Sequence, residues 1–298
     1  MSTHQFGGPW TTEKLTALRK YLEAYRTIFT GNEKARYFQT IYVDAFAGTG
    51  DWQESNLSEL GAGDLFPSED QPDVDDFRKG SARISLELQR PFDRYIFIDK
   101  SRQHVQQLES MVLSEFATLH PRCKFWRGDA NDLLREFCTV HFDWKKCRAV
   151  VFLDPYGMSV SWNTIQLLAK TQAVDLWILF PLAQGVNRLL TKQGEPPAGF
   201  ARRLTDVFGT DGWRTEFYSS SAQSELFDSE NRLEKVATFD SIAKYWILKL
   251  SELFPGVAAR PRFLRNSRGS PLFLLCFAAS NPKGAGPALK IANDLLDA

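Results

Sequence analysis

The sequence predicts an α/β fold with a mostly parallel sheet, and three observations predict it. Short apolar runs alternate with helix-period segments of ten to twenty residues, the pattern of βαβ units with right-handed crossovers. Two further runs, Arg262–Arg265 and Pro271–Ala279, flank Asn266-Ser267-Arg268-Gly269-Ser270 and read as a β-hairpin. The composition is that of an ordinary globular chain, 43% hydrophobic and 24% charged over 298 residues.

The elements follow in order. Residues 12–29 place Leu15, Leu18, Leu22, Tyr25 and Ile28 at helical spacing, which predicts an amphipathic helix. Tyr37–Phe46 reads as a buried strand running into Ala47-Gly48-Thr49-Gly50. From Asp51 to Phe77 there are nine acidic residues and no Lys or Arg, so this stretch is expected to be a solvated loop, mobile without ligand. Ser81–Gln89 then reads as helix, Tyr95–Ile98 as strand, Ser101–Leu119 as helix and Lys124–Trp126 as strand. Asp132–Phe137 reads as helix, Ala149–Leu153 as strand, Trp162–Lys170 as helix and Val174–Phe180 as strand. Glycines and prolines interrupt residues 192–232, which are expected to form an inserted cap rather than a separate domain. A long helix is predicted at Leu233–Phe254 and a last one at Ala288–Leu296. The organisation is then an N-terminal helical segment, 1–36, followed by a single domain, 37–298. Five parallel strands closed by a C-terminal hairpin predict a seven-stranded, Rossmann-like sheet of the class I methyltransferase type. A dehydrogenase sheet would more often continue with parallel strands.

Charge and cysteine usage exclude several classes. Thirty-six basic against thirty-six acidic residues give no global electrostatic case for a nucleic-acid partner. The longest apolar runs, Leu176–Ala183 and Leu272–Ala279, hold eight residues, whereas a bilayer span needs about twenty. The opening MSTHQFGGPW has no signal-peptide pattern, so a cytoplasmic protein with no membrane partner is expected. Cys123, Cys138, Cys147 and Cys276 have no ligand spacing, and neither have the four histidines. They predict buried reduced thiols and no metal.

Acids end four of the predicted strands. Asp44 precedes the Gly48/Gly50 turn, where glycine permits close backbone approach. A dinucleotide fingerprint needs a third glycine where Gln53 stands, and pyrophosphate gains nothing from an adjacent acid. S-adenosylmethionine, with its ammonium and sulfonium, suits Asp44 better. Asp99 ends the second strand, where an acid accepts ribose hydroxyls, or else caps the following helix together with Ser101. Asp129 follows the third strand and is placed either to meet an adenine amino group or to cap a helix. Asp154-Pro155-Tyr156 closes the fourth strand. In one reading Asp154 and the Pro155 carbonyl hold a nucleophilic amine while Tyr156 stacks on a base; in the other this is simply turn chemistry.

These residues carry a resemblance. The chain resembles the three-Cys-motif partner (TcmP) family, a bacterial group with a class I methyltransferase-like fold. The resemblance runs through Glu13-Lys14-Leu15, the stretch Asp44-Ala45-Phe46-Ala47-Gly48-Thr49-Gly50, Gly80-Ser81, Ile98-Asp99, Gly128-Asp129, Phe152–Gly157, Trp162–Ile165 and Gly269–Ala278. It implies S-adenosylmethionine held by Asp44, Phe46, Gly48, Gly50, Asp99 and Asp129, and a companion protein bearing three cysteines. Asp154-Pro155-Tyr156 is also similar to the D-P-P-Y signature of enzymes that methylate adenine or cytosine amines in nucleic acid, with one proline fewer. Two functions therefore compete: a nucleic-acid amine methyltransferase, and a methyltransferase-fold partner protein that assists the companion. Arg260, Arg262, Arg265, Arg268 and Arg202-Arg203, with Trp213, Phe217 and Tyr218, form either a nucleic-acid track or scattered solvated side chains.

Overall fold

A computed structural model describes residues 9–48, 80–155, 157–192, 194–220 and 233–298. The acidic stretch 51–77, Gly50 and Tyr156 lie outside the described residues. The elements are α1 (Pro9–Gly31), β1 (Gln39–Asp44), α2 (80–86), β2 (Arg94–Asp99), α3 (Arg102–Glu115), β3 (Cys123–Arg127), α4 (Ala130–Thr139), β4 (Cys147–Leu153), α5 (Trp162–Lys170) and β5 (Val174–Phe180). There follow a π-helical turn at Leu182–Asn187, α6 (Ala198–Phe208), α7 (Trp213–Phe217), β6 (Tyr218–Ser220), β7 (Leu233–Lys235), α8 (Phe239–Ser251), β8 (Gly256–Val257), β9 (Arg262–Arg265), β10 (Pro271–Ala279) and α9 (Ala285–Asp297).

The sheet runs β3-β2-β1-β4-β5-β10, with β8 and β9 both beyond β10. β1 to β5 are parallel, and β10 is antiparallel to β5 and to both edge strands. The predicted class is therefore correct: a mixed α/β, Rossmann-like sheet of the methyltransferase type. Both expected hairpin strands are present, as β9 and β10, and an unpredicted two-residue strand, β8, makes eight rather than seven. β9 pairs with Leu275 and residues before it on β10, β8 pairs with Ala278 and Ala279, and Pro261 stands between β8 and β9. Proline lacks the N–H that a ladder needs.

Strand pleating sorts the core into two layers. Ile41, Val43, Ile96, Ile98, Val151, Ile178 and Cys276 face α4, α5 and α8. Tyr42, Tyr95, Phe97, Phe152, Trp177 and Phe277 face α1, α2, α3 and α9. This second face is aromatic, with Tyr21 of α1 edge-on to Trp177 at 5.2 Å between ring centroids. The buried stripe of α1 differs from the predicted one: Lys14, Ala17, Leu18, Tyr21, Leu22 and Tyr25 are inside, and Ile28 is exposed.

One other expectation is corrected, and one of two open readings falls away. The long helix predicted from Leu233 begins at Phe239, because Thr238 and Ser241 form a reciprocal capping box. Leu233–Lys235 pairs instead with Tyr218–Ser220. In the region predicted as a cap, Trp213 and Phe217 are fully buried against Phe208 and Tyr245. They belong to the core and offer no stacking surface. Arg262 donates to the Leu296 carbonyl and Arg265 to that of Gly269, so both are tied to their own fold. All four cysteines are buried and free, as predicted. Among the described residues no helix is long and apolar enough to cross a membrane, and no cluster of three metal-ligating side chains occurs.

Candidate active site at the carboxyl edge of the sheet

The strand order reverses between β1 and β4, and in sheets of this kind ligands bind beyond the carboxyl ends of the strands at such a point. Register brings the predicted acids there. Asp44 is level with Phe97 on β2 and Phe152 on β4, and Asp99 is level with Arg127 on β3. Asp99 and Asp154 each lie two residues past a neighbour of Asp44, on the aromatic face that α1 covers. Asp129, two residues beyond β3, completes the row.

Asp44 is fully buried. Its carboxylate accepts from the Phe46 N–H at 3.4 Å and from the Tyr42 hydroxyl at 3.5 Å, both long. Burial pushes its pKa from 3.8 up to about 7; the Ser81 hydroxyl opposes the rise, and the charge of Asp154 adds to it. Phe46 is half-buried against the aliphatic core layer. Gly48 has φ +60°, a left-handed turn that glycine adopts without steric cost.

Asp99 joins the ends of β1 and β2. Its Oδ2 accepts from the Gly48 N–H at 3.1 Å and its Oδ1 from the Ser101 N–H at 2.7 Å, with His104 Nδ1 3.2 Å from Oδ1. Burial alone would raise its pKa, but the His104 imidazole and these two N–H groups outweigh it and hold the carboxyl below its usual range. Asp129 is exposed and caps α4, accepting from the Asn131 N–H at 2.9 Å. Capping is therefore realised at Asp129 for α4 and at Ser101 for α3, whose side chain accepts from the His104 N–H, while Asp99 braces the glycine turn.

Asp154 and Pro155 are buried just past β4. Lys14 of α1 reaches Asp154, Nζ to Oδ1 3.8 Å, with side-chain exposures of 1% and 8%. Nothing in the spacing of the sequence joins these two residues, and Lys14 enters the sequence analysis only through the family resemblance. The signal that marks it is a lysine in the apolar stripe 14, 18, 21, 22, 25. Asn131 does more than precede a helix. Its Nδ2 donates to the Ser159 carbonyl at 2.8 Å, and its Oδ1 accepts from the Ser161 N–H and the Thr164 hydroxyl. It thereby latches the β3–α4 turn to the turn after β4.

The donor set suits an amino-acid nucleoside better than a dinucleotide. A buried carboxylate bonded to the Ser81 hydroxyl, with only long contacts to Phe46 and Tyr42, has accepting capacity left for a cationic group, and Asp99 Oδ2 keeps a lone pair for a hydroxyl. Pyrophosphate would meet two acids at the same turn.

No family model and no curated protein matches the sequence. Solved structures do. The chain aligns over 91% of its length with 58% of Trm1 from Pyrococcus horikoshii, a structure in complex with S-adenosyl-L-methionine, at 10% identity and a TM-score of 0.44. It aligns over 88% of its length with 98% of the methyltransferase domain of bacterial CtHen1-C, at 11% identity and a TM-score of 0.35. A conserved hypothetical protein of Streptococcus pyogenes is 18% identical over 53% of this chain and 76% of its own, with a TM-score of 0.30.

Proposed function

We propose that the chain is an S-adenosylmethionine-dependent methyltransferase acting on an amine, with an exocyclic amine of a nucleic-acid base as the substrate class. The observation that supports this most is the convergence of Asp44, Asp99 and Asp154 at three adjacent strand ends on one face of the sheet. In this reading Asp44 receives the cofactor's ammonium, Asp99 its ribose hydroxyls and Asp129 its adenine, with Phe46, Gly48 and Gly50 shaping the turn. The bound cofactor supplies an electrophilic methyl group. Asp154 and the Pro155 carbonyl orient the amine and receive its N–H groups, Asp154 accepts the proton lost on alkylation, and Tyr156 stacks on the base. A single-stranded or structured nucleic acid is the easier target, since flipping a paired base costs a few kcal/mol.

The resemblance to the TcmP family supports a second reading, in which the protein docks a three-cysteine companion and methylates nothing. The feature that favours it is Asp154-Pro155-Tyr156 itself, one proline short of the D-P-P-Y signature. Incubation with methyl-labelled S-adenosylmethionine and mixed RNA and DNA, with and without the companion, decides between the two. Label transfer abolished by Asp154→Ala is the expected result. No transfer to nucleic acid or protein in either condition selects the partner reading.

A further inference from the structure

Lys14 stands where the pattern of α1 calls for an apolar side chain. With Leu18, Tyr21, Leu22 and Tyr25 it forms the stripe that packs on the sheet, and it is 1% exposed. Seating the helix does not require a lysine. Tyr21 donates to Asp175 at 2.6 Å, Arg26 to the Thr40 hydroxyl, and the apolar stripe supplies the rest. A buried ion pair also seldom anchors better than apolar side chains of similar volume. What a lysine does here and a leucine would not is set the charge of a neighbouring carboxylate.

That carboxylate is Asp154, the first residue of the Asp154-Pro155-Tyr156 motif. On the β10 side, the Lys14 ammonium lies 5.8 Å from the centroid of the Phe273 ring, so it is bracketed between two parts of the sheet. Among the described residues, the titratable groups near Asp154 include Asp44 and Tyr42 of β1, and the Ser81 hydroxyl of α2 bonds to Asp44. Asp154 raises the pKa of Asp44, so the two acids sense each other's charge. A carboxyl buried beside another acid tends to hold a proton, and a cation 3.8 Å from Asp154 opposes that.

We infer that Lys14 is a positioning residue of the methyl-transfer site, keeping Asp154 ionised and oriented as an acceptor for the N–H of an amine substrate. This rests on the methyltransferase reading and makes α1 a wall of the site. An ionised Asp154 accepts from an amine, whereas a protonated one would present a donor to it.

The test uses the full chain as wild type, Lys14→Met and Lys14→Arg. Methionine keeps the length of the side chain and removes its charge. In protein labelled with 13C at aspartate carboxyls, the Asp154 titration midpoint is expected to move up in Lys14→Met and to stay near the wild-type position in Lys14→Arg. Transfer of labelled methyl groups to mixed RNA and denatured DNA is expected to fall at least tenfold in Lys14→Met. Affinity for S-adenosylhomocysteine should stay within threefold, which shows that the fold persists, while the loss of one partner of a buried ion pair lowers the melting temperature. An unmoved midpoint, or undiminished transfer, in Lys14→Met overturns the role of Lys14. Absence of transfer by the wild type overturns the methyltransferase reading itself.

Discussion

At pH 7 the Asp44 carboxyl is poised between its two protonation states, because burial lifts its pKa from 3.8 to about 7. The folded chain therefore binds a proton that the unfolded chain has released. The resulting stability is fully present below pH 3.8 and is lost as the pH rises through 7. At about 1.4 kcal/mol per unit, the loss between pH 5 and pH 8 is roughly 2–3 kcal/mol. Asp44→Asn removes this dependence, so urea denaturation should show the variant gaining on the wild type by that amount over the same interval. A difference that does not change with pH would contradict it. The cysteines give a second test. Burial raises the thiols of Cys123 and Cys138 to about 12 and leaves Cys276 fully enclosed. A thiol reagent should label the native protein far more slowly than the unfolded one, and one fast-reacting thiol would count against this core. The acids at the strand ends were legible in the sequence because each closes an apolar run. Lys14 was not, because a stripe is recognised by its apolar members and a lysine in it looks like a solvated neighbour.

Among the elements, the end of α6 is the most sharply constrained by its surroundings. Gly209 caps this helix at φ +71°, its N–H donating to the Thr205 carbonyl at 2.7 Å. A Cβ there would overlap the Trp162 ring of α5. Gly209→Ala adds a left-handed penalty of about 1 kcal/mol to an overpacking cost of about 1–3. A loss of roughly 2–4 kcal/mol is expected in chemical denaturation, and a neutral effect would show that the α5–α6 contact is wrong. At the start of α8, Thr238→Ala should cost about 1 kcal/mol by removing the bond to the Ser241 N–H. That same cap explains why Leu233–Phe254 reads as one helix. Apolar spacing continues across Thr238, and the reciprocal partner three residues on is Ser241 rather than the usual Glu or Gln. The two residues of β8 are too few for any periodicity to register. By contrast, the limits of α5, β5, β9 and β10 agree with those read from sequence, since glycine, proline or capping residues bound them.

In the whole molecule, formal neutrality conceals an ordered distribution of charge. Asp129, Asp99, Asp44 and Asp154 follow one another along the carboxyl edge in the strand order β3, β2, β1, β4. Topology gathers what the sequence spreads over about 110 residues, and only the parallel sheet makes that visible. The fold was legible because crossover handedness and alternation leave few arrangements. The candidate site was legible in its strand-end acids and not in the contact from α1, because nothing local to Asp154 points back to residue 14. Titration calorimetry with S-adenosylhomocysteine and NAD, on wild type and Asp99→Ala, tests most directly whether this edge is a cofactor site. The account predicts binding of S-adenosylhomocysteine by the wild type, at least tenfold weaker binding by a folded Asp99→Ala variant, and no binding of NAD. Binding of NAD alone, or S-adenosylhomocysteine binding unchanged in Asp99→Ala, would contradict it.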